Sequence, residues 1–397
     1  MSKNLDQKIE EVLTRGVEEV IPSKDRLKEL MKHKKLRLYL GVDPTSPKIH
    51  LGHLIPLRKL KQFQELGHEA ILLFGTFTAQ VGDPSGRDEA RKPLSLEQVK
   101  DNMKTYKEQV SKFLALSGIQ IKHNADWLAR LTFPDLIKIA SNFTVSRLLE
   151  RDMFQQRLRG KKEVWINEFL YPLMQGYDSV AMDVDLEVGA TDQTFNMLVG
   201  RKLQKIFNKK EKFVLTTSIL PGLDGRKMSK TFGNTIDLTD SPNEIYGKIM
   251  SLNDELIVAY LELATDISLE DVKKIKEDLL NKKINPRDVK AMLAQEIAGV
   301  LYGKRQAALA AKDFDLVFKE KKIPSKVAEV KIKKIGINIL ELLVKAGLAL
   351  SKSEAKRLVL QKGVRIDGVI KEDWKETVKI KKGQMIQVGR RKFAKLI

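Results

Sequence analysis

The chain has 397 residues, room for two or three domains with a proper core, and 42% of them are hydrophobic. Its 72 lysines and arginines against 52 acidic residues give a formal charge of +20, an excess that points to a polyanionic partner. No apolar run is long enough to span a bilayer and no lipidation signal is present, while the lack of cysteine excludes disulfides and thiolate metal sites.

Residues 1–25 predict an amphipathic helix with Leu5, Ile9, Leu13 and Val17 on one side. Asp6, Glu10, Glu11, Glu18 and Glu19 are wrong for a signal or transit peptide, so a cytoplasmic location is expected. Leu36, Leu38 and Leu40 then give a short apolar strand, Asp43-Pro44-Thr45-Ser46-Pro47 a loop, and the apolar series from Ile49 a helix. His50 and His53 fall at i and i+3 on its first turn, where unpaired backbone N–H groups and the helix dipole favour an anion, above all a phosphate. For a lone His-x-x-His the plainer reading is a pair of partly exposed helix residues. Zinc fits less well, because the spacing is not i and i+4 and no cysteine completes a cluster.

The run 69–74 is apolar throughout after Glu69, as a buried parallel strand is, and the loop 75–86 that follows lacks the Walker pattern. A helix over 95–116 and a strand over 119–123 complete a strand–helix–strand series. It predicts a parallel sheet whose ligand site lies at the carboxyl ends of the strands, with His50, His53 and Asp83 all there. Residues 143–159 read as a charged helix with Arg147, Arg151, Arg157 and Arg159. Tyr171, Gln175 and Asp178 recur at helical spacing among apolar neighbours, either as a hydrogen-bonded core network or as a substrate pocket. Residues 188–193 form another strand-to-helix turn and 213–217 another strand. The turn 221–225 leads into Lys227-Met228-Ser229-Lys230-Thr231.

From Asp240 the pattern is helical, with Ser241-Pro242 and Asn285-Pro286 opening helices over 245–250 and 289–309. The lysine-rich stretch 319–334 reads as a linker. Beyond it come a helix over 339–345, a capping box at Ser351 opening a helix to Gln361, and a hairpin turning at Asp367-Gly368. Lys352, Lys356, Arg357, Arg390 and Arg391 make this terminal module basic, as an RNA-binding module is.

The motifs His50-Leu51-Gly52-His53 and Lys227-Met228-Ser229-Lys230-Thr231, a domain's length apart, resemble the two signatures of class I aminoacyl-tRNA synthetases. With Tyr171-x-x-x-Gln175-x-x-Asp178 added, the chain resembles the bacterial tyrosyl-tRNA synthetase family over essentially its full length. The resemblance implies an α/β fold: a Rossmann-like parallel-sheet catalytic domain (1–237), an α-helical anticodon-side domain (238–318), a linker (319–335) and a small α+β RNA-binding domain of ribosomal-protein type (336–397). It implies that Tyr171, Gln175 and Asp83 hold the amino group of L-tyrosine, that Asp178 and Tyr39 meet its phenol hydroxyl, and that Gln193 lines the same pocket. ATP would lie on Gly41, Asp43, Thr45, His50, Gly52, His53, Lys227, Met228 and Lys230, with His50, His53, Lys227, Lys230 and Thr231 catalytic. Mg²⁺ would come with ATP, held by phosphate and water rather than by a protein cage. The implied partners are tRNA(Tyr), bound through Lys352, Lys356, Arg357, Arg390 and Arg391, and a second copy in a homodimer, with no membrane involved. Leu51 stands where isoleucine is commoner, Thr231 where serine is, and Glu187 where many members carry glutamine.

Three other readings share part of these features. A tryptophanyl enzyme has both signatures but should lack the Tyr-x-x-x-Gln-x-x-Asp set and the terminal module. A nucleotidyltransferase making a small cofactor has no use for a charge of +20. A non-catalytic RNA-binding relative has no need of the signature lysines.

Overall fold

The structure is a computed structural model describing residues 3–85, 93–114, 116–229, 232–318, 327–332, 335–389 and 392–397. Of the candidate site residues, Lys230, Thr231, Arg390 and Arg391 lie outside the described residues. The chain divides into two compact units, Met1–Thr239 with Leu252–Val289, and Asp240–Ser251 with Lys290–Ile397. The helical span 238–318, read from sequence as one domain, is shared between them.

The first unit is built on a six-stranded sheet. Its strands are β1 (Val17–Ile21), β2 (Arg37–Val42), β3 (Glu69–Phe74), β4 (Ile119–His123), β5 (Leu186–Ala190) and β6 (Phe213–Thr217), in the order β1-β6-β5-β2-β3-β4. Strands β2 to β6 are parallel, and β3 and β5 are almost wholly buried, which is why β3 reads as a continuous apolar run after Glu69. The edge strand β1 is a departure from the sequence reading, which placed Val17 on the first helix. That helix stops at Thr14, Gly16 turns the chain at φ +62°, and the β-branched Val17, Val20 and Ile21 pair antiparallel with β6. The chain runs outward from β2 through β3 to β4, then returns to the other side of β2 for β5 and β6. The switch point therefore lies between β2 and β5, and a crevice at their carboxyl ends is where such a sheet binds a ligand.

Two other elements differ from expectation in the same physical way. The span 143–159 is two short helices, Val145–Leu149 and Asp152–Arg159, and the span 289–309 is also two, Pro286–Tyr302 and Lys304–Phe318, parted at Gly303 with φ +83°. In both cases helical periodicity continues on either side of a short break, which a periodicity count passes over.

In the second unit the helices Pro242–Met250 and Lys304–Phe318 pack through Tyr246 and Phe314, whose rings lie 5.3 Å apart. The rest carries β7 (Ala328–Val330), β8 (Gly336–Asn338), β9 (Val364–Ile366), β10 (Val369–Lys371), β11 (Thr377–Lys379), β12 (Met385–Val388) and β13 (Lys392–Leu396). They form a five-stranded sheet, β10-β9-β12-β13-β7, and a β11-β8 pair. Strand β7 falls within the stretch read as linker and pairs parallel with β13. Asp367 and Gly368 both take positive φ, +49° and +82°, as a two-residue hairpin turn requires. Ile339, Leu342, Leu343, Val359, Val364, Ile386 and Leu396 are fully buried in one core here. No helix among the described residues is long and apolar enough to cross a membrane.

Candidate active site

Helix Ile166–Met182 lies against helix Thr194–Phe207 and carries the polar stripe. Asp178 is 2% exposed, and its two carboxylate oxygens accept hydrogen bonds from Trp127 Nε1 (2.8 Å) and Asn124 Nδ2 (3.2 Å). Burial pushes this carboxyl well above the usual range, and the two N–H donors pull the other way. Tyr39, fully buried on β2, has its hydroxyl 3.0 Å from Ser179 Oγ, and burial followed by the nearby Glu187 and Asp178 raises its phenol well above 10. The Tyr171 hydroxyl donates to Asp43 Oδ2 at 2.8 Å. That bond joins the amino-acid set and the nucleotide set, which the sequence reading assigned separately.

Gln175 donates through Nε2 to Glu187 Oε1 at 3.1 Å, and its Oε1 is buried with no hydrogen-bond partner among the described residues. Glu187 is in turn ion-paired with Lys212, both side chains being almost completely buried. Asp83, after β3, accepts from Gln193 Nε2 at 2.6 Å and from the Ser85 backbone N–H at 2.9 Å.

On the nucleotide side the first turn after the loop is a 3₁₀ turn, Leu51–His53, with the α-helix proper starting at Leu54. Residues three apart eclipse in a 3₁₀ turn, and the His50 and His53 rings lie 4.0 Å apart. Segment 236–238 clamps this turn: the Leu51 N–H donates to Ile236 O (2.8 Å) and the Leu238 N–H to Ile49 O (2.9 Å). A Cβ on Gly52 would sit 3.9 Å from Met228 Sδ, so the two signatures meet in space. Lys227 is exposed and pairs with Asp192 Oδ2 at 2.8 Å, a contact worth little in water and readily exchanged for a phosphate. Asn234 shapes the loop, accepting from the Ser229 N–H and donating to Asp224 and the Lys227 carbonyl. The Thr45 N–H donates to Asp43 O at 2.8 Å, and Gly41 is exposed on β2.

In the second unit Lys352, Lys356 and Arg357 are exposed on helix Lys352–Leu360, with Lys356 Nζ 4.1 Å from the Trp374 ring centre. The sequence reading missed Asn124, Trp127, Ser179 and Lys212. Asn124 had a usable signal, since it directly follows β4 at the carboxyl edge of the sheet. Lys212 had none among so many lysines.

Residues 31–319 match the family described as "tRNA synthetases class I (W and Y)", and residues 339–386 match the S4 domain. The chain belongs to this class of synthetases. It is 47% identical to the tyrosine–tRNA ligase of Thermotoga maritima, over 97% of this chain and 96% of that one, and 45% identical to that of Moorella thermoacetica, over 97% and 94%. A tyrosyl-tRNA synthetase of Archaeoglobus fulgidus, solved with L-tyrosine, is 25% identical with a TM-score of 0.63, covering 76% of this chain and 99% of that one. Within the class, the chain belongs to the tyrosine–tRNA ligase family.

Proposed function

We infer that this chain activates L-tyrosine with ATP to tyrosyl-adenylate and pyrophosphate, then transfers the tyrosine to the 3′ end of tRNA(Tyr). The observation that supports the site assignment is Gln175 Oε1, buried, without a hydrogen-bond partner among the described residues and on the same helix as Asp178, a ready acceptor for a substrate ammonium. The substrate carboxylate oxygen bonds to the α-phosphorus as the bond to the pyrophosphate oxygen breaks. No general base is needed, and catalysis comes from positioning and charge stabilisation. His50 and His53, with Lys227, Lys230 and Thr231, meet charge growing on the pyrophosphate, while Met228, Gly52, Gly41, Asp43 and Thr45 line the nucleotide. Mg²⁺ enters on the ATP phosphates.

The S4-type unit, with Lys352, Lys356, Arg357, Arg390 and Arg391, holds tRNA phosphates, and the helices between 238 and 318 lie on the anticodon side. Two copies pair in a cytoplasmic homodimer. Supporting this, exposed large apolar side chains gather in the segment 133–166, where Phe133, Val145 and Ile166 are each at least 67% exposed.

The test is retention of labelled tyrosine by the protein on gel filtration after incubation with ATP, Mg²⁺ and pyrophosphatase. Capture approaching one tyrosine per active site is expected. Capture that is the same without ATP would refute the activation step.

A further inference from the structure

Behind the pocket, Lys212 Nζ is completely buried and touches two groups, Glu187 Oε2 and Ser179 Oγ, the latter at 2.9 Å. Ser179 Oγ is 3.0 Å from the Tyr39 hydroxyl, and Glu187 uses its other oxygen, Oε1, to accept from Gln175 Nε2 at 3.1 Å. Room for the ammonium is built in: a Cβ on Gly200 would stand 2.6 Å from Lys212 Nζ and 2.7 Å from Ser179 Oγ. A primary amide can face a neighbour with either its oxygen or its nitrogen, and only the neighbour's chemistry decides which. An ammonium has donors only, so the atom facing it must be an acceptor. A carboxylate so paired offers a second acceptor on its far side, and only the N–H side of Gln175 can meet that.

We propose that Lys212 is a positioning residue that sets the polarity of the Gln175 amide through Glu187, so that Gln175 Oε1 and not its NH₂ group faces the ammonium of the bound tyrosine. This rests on the assignment of Gln175 to the tyrosine pocket. Lys212 touches no substrate. It acts through an ordered relay, Lys212 to Glu187 to Gln175, and its effect is confined to ligands that carry an amino group.

The relay gives a sign pattern that mere packing does not. In Glu187→Gln the oxygen of the new amide must still face Lys212, so its NH₂ faces Gln175 and turns the Gln175 amide round, presenting N–H groups to the substrate ammonium. In Glu187→Gln with Lys212→Met the constraint is gone. The introduced amide then turns its oxygen to Gln175 and its NH₂ to Ser179 Oγ, and the original polarity returns.

The measurement is the KM for tyrosine in ATP–pyrophosphate exchange, together with the inhibition constant of 3-(4-hydroxyphenyl)propionate, which lacks the amino group. Glu187→Gln is nearly isosteric and should raise the tyrosine KM on the order of tenfold or more while leaving the inhibitor constant nearly unchanged. Adding Lys212→Met should bring the tyrosine KM back toward wild type. A double variant no better than Glu187→Gln alone overturns the proposal, as does equal weakening of tyrosine and the amino-less analogue by Glu187→Gln. Gln175→Ala separates the two layers. If it leaves the tyrosine KM unchanged, the pocket assignment itself fails. If it raises the KM while Glu187→Gln does not, the pocket stands and the relay fails.

Discussion

Asp178→Asn is the most informative change in the pocket, because each atom of the replaced group has a fixed neighbour. The two carboxylate oxygens now accept from Trp127 Nε1 and Asn124 Nδ2. An asparagine has one oxygen, so its NH₂ must stand against one of those donors. Trp127 has no acceptor to offer. Asn124 cannot turn its amide round either, since its Oδ1 accepts from the Phe77 N–H at 2.8 Å and its Nδ2 also donates to Thr78 Oγ1 at 3.0 Å. One buried donor is therefore stranded at a cost of about 1–3 kcal/mol, and the tyrosine hydroxyl loses its carboxyl acceptor at a similar cost. The first loss is present with or without substrate and lowers stability, whereas the second corresponds to roughly 5- to 150-fold in kcat/KM for tyrosine. Phenylalanine has no hydroxyl to strand, so its activation should fall far less and the ratio between the two amino acids should narrow. Pyrophosphate exchange with each amino acid, beside a urea unfolding curve of the variant, measures both effects. Tyrosine activation near wild type, or an equal fall for both amino acids, would place Asp178 outside the pocket.

With the proposed role of His50 and Lys227 on charge that develops in the transition state, His50→Ala and Lys227→Ala should each lower the exchange kcat on the order of 100-fold with the tyrosine KM little changed. An unchanged kcat with a raised tyrosine KM would contradict that role. A chain cut after Pro324 should still form tyrosyl-adenylate, because every residue assigned to ATP or tyrosine lies at or before Thr231 and the buried core of the removed part lies within 337–396. It should charge tRNA poorly, and the slope of log affinity against log salt should flatten by about 0.7–0.9 for each phosphate that is no longer bound; equal charging by the two chains would refute the RNA role. Lys59 is 2% exposed, donates to the Val12 carbonyl at 2.9 Å, and is pushed down to about 7 by burial and then by Arg15 and Arg58. Between about 7 and the ordinary 10.5 the unfolded chain binds more protons than the folded one, so stability should rise with pH across that window and be lowest below it. Urea midpoints from about pH 6 to about pH 9 should show the rise in the wild type and a flatter profile in Lys59→Met.

The parallel strands β3 and β6 were legible because buried strands leave apolar stretches bounded by turns, and the hairpin at Asp367-Gly368 because only a few residue pairs tolerate its backbone. Strand β1 was hidden because Val17-Glu18-Glu19-Val20-Ile21 continues the acidic, amphipathic pattern of the helix before it, and β7 because its three residues sit among lysines. The stripe Tyr171, Gln175, Asp178 could be seen as polar groups needing partners, yet not the partners themselves. Asn124, Trp127 and Lys212 come from elements that meet only once the sheet is assembled, and no local spacing records that meeting. The stripe's side chains are hydrogen-bonded to partners from other elements, and Gln175 Oε1 is the acceptor it leaves unpartnered among the described residues.

Amino-acid-dependent exchange of labelled pyrophosphate into ATP, run across the protein amino acids and followed by charging of tRNA(Tyr), tests the central claim most directly. Exchange should depend on tyrosine, with phenylalanine and tryptophan far behind, and the tyrosine should then appear on tRNA(Tyr). Exchange driven best by tryptophan, or none with any amino acid, would contradict it.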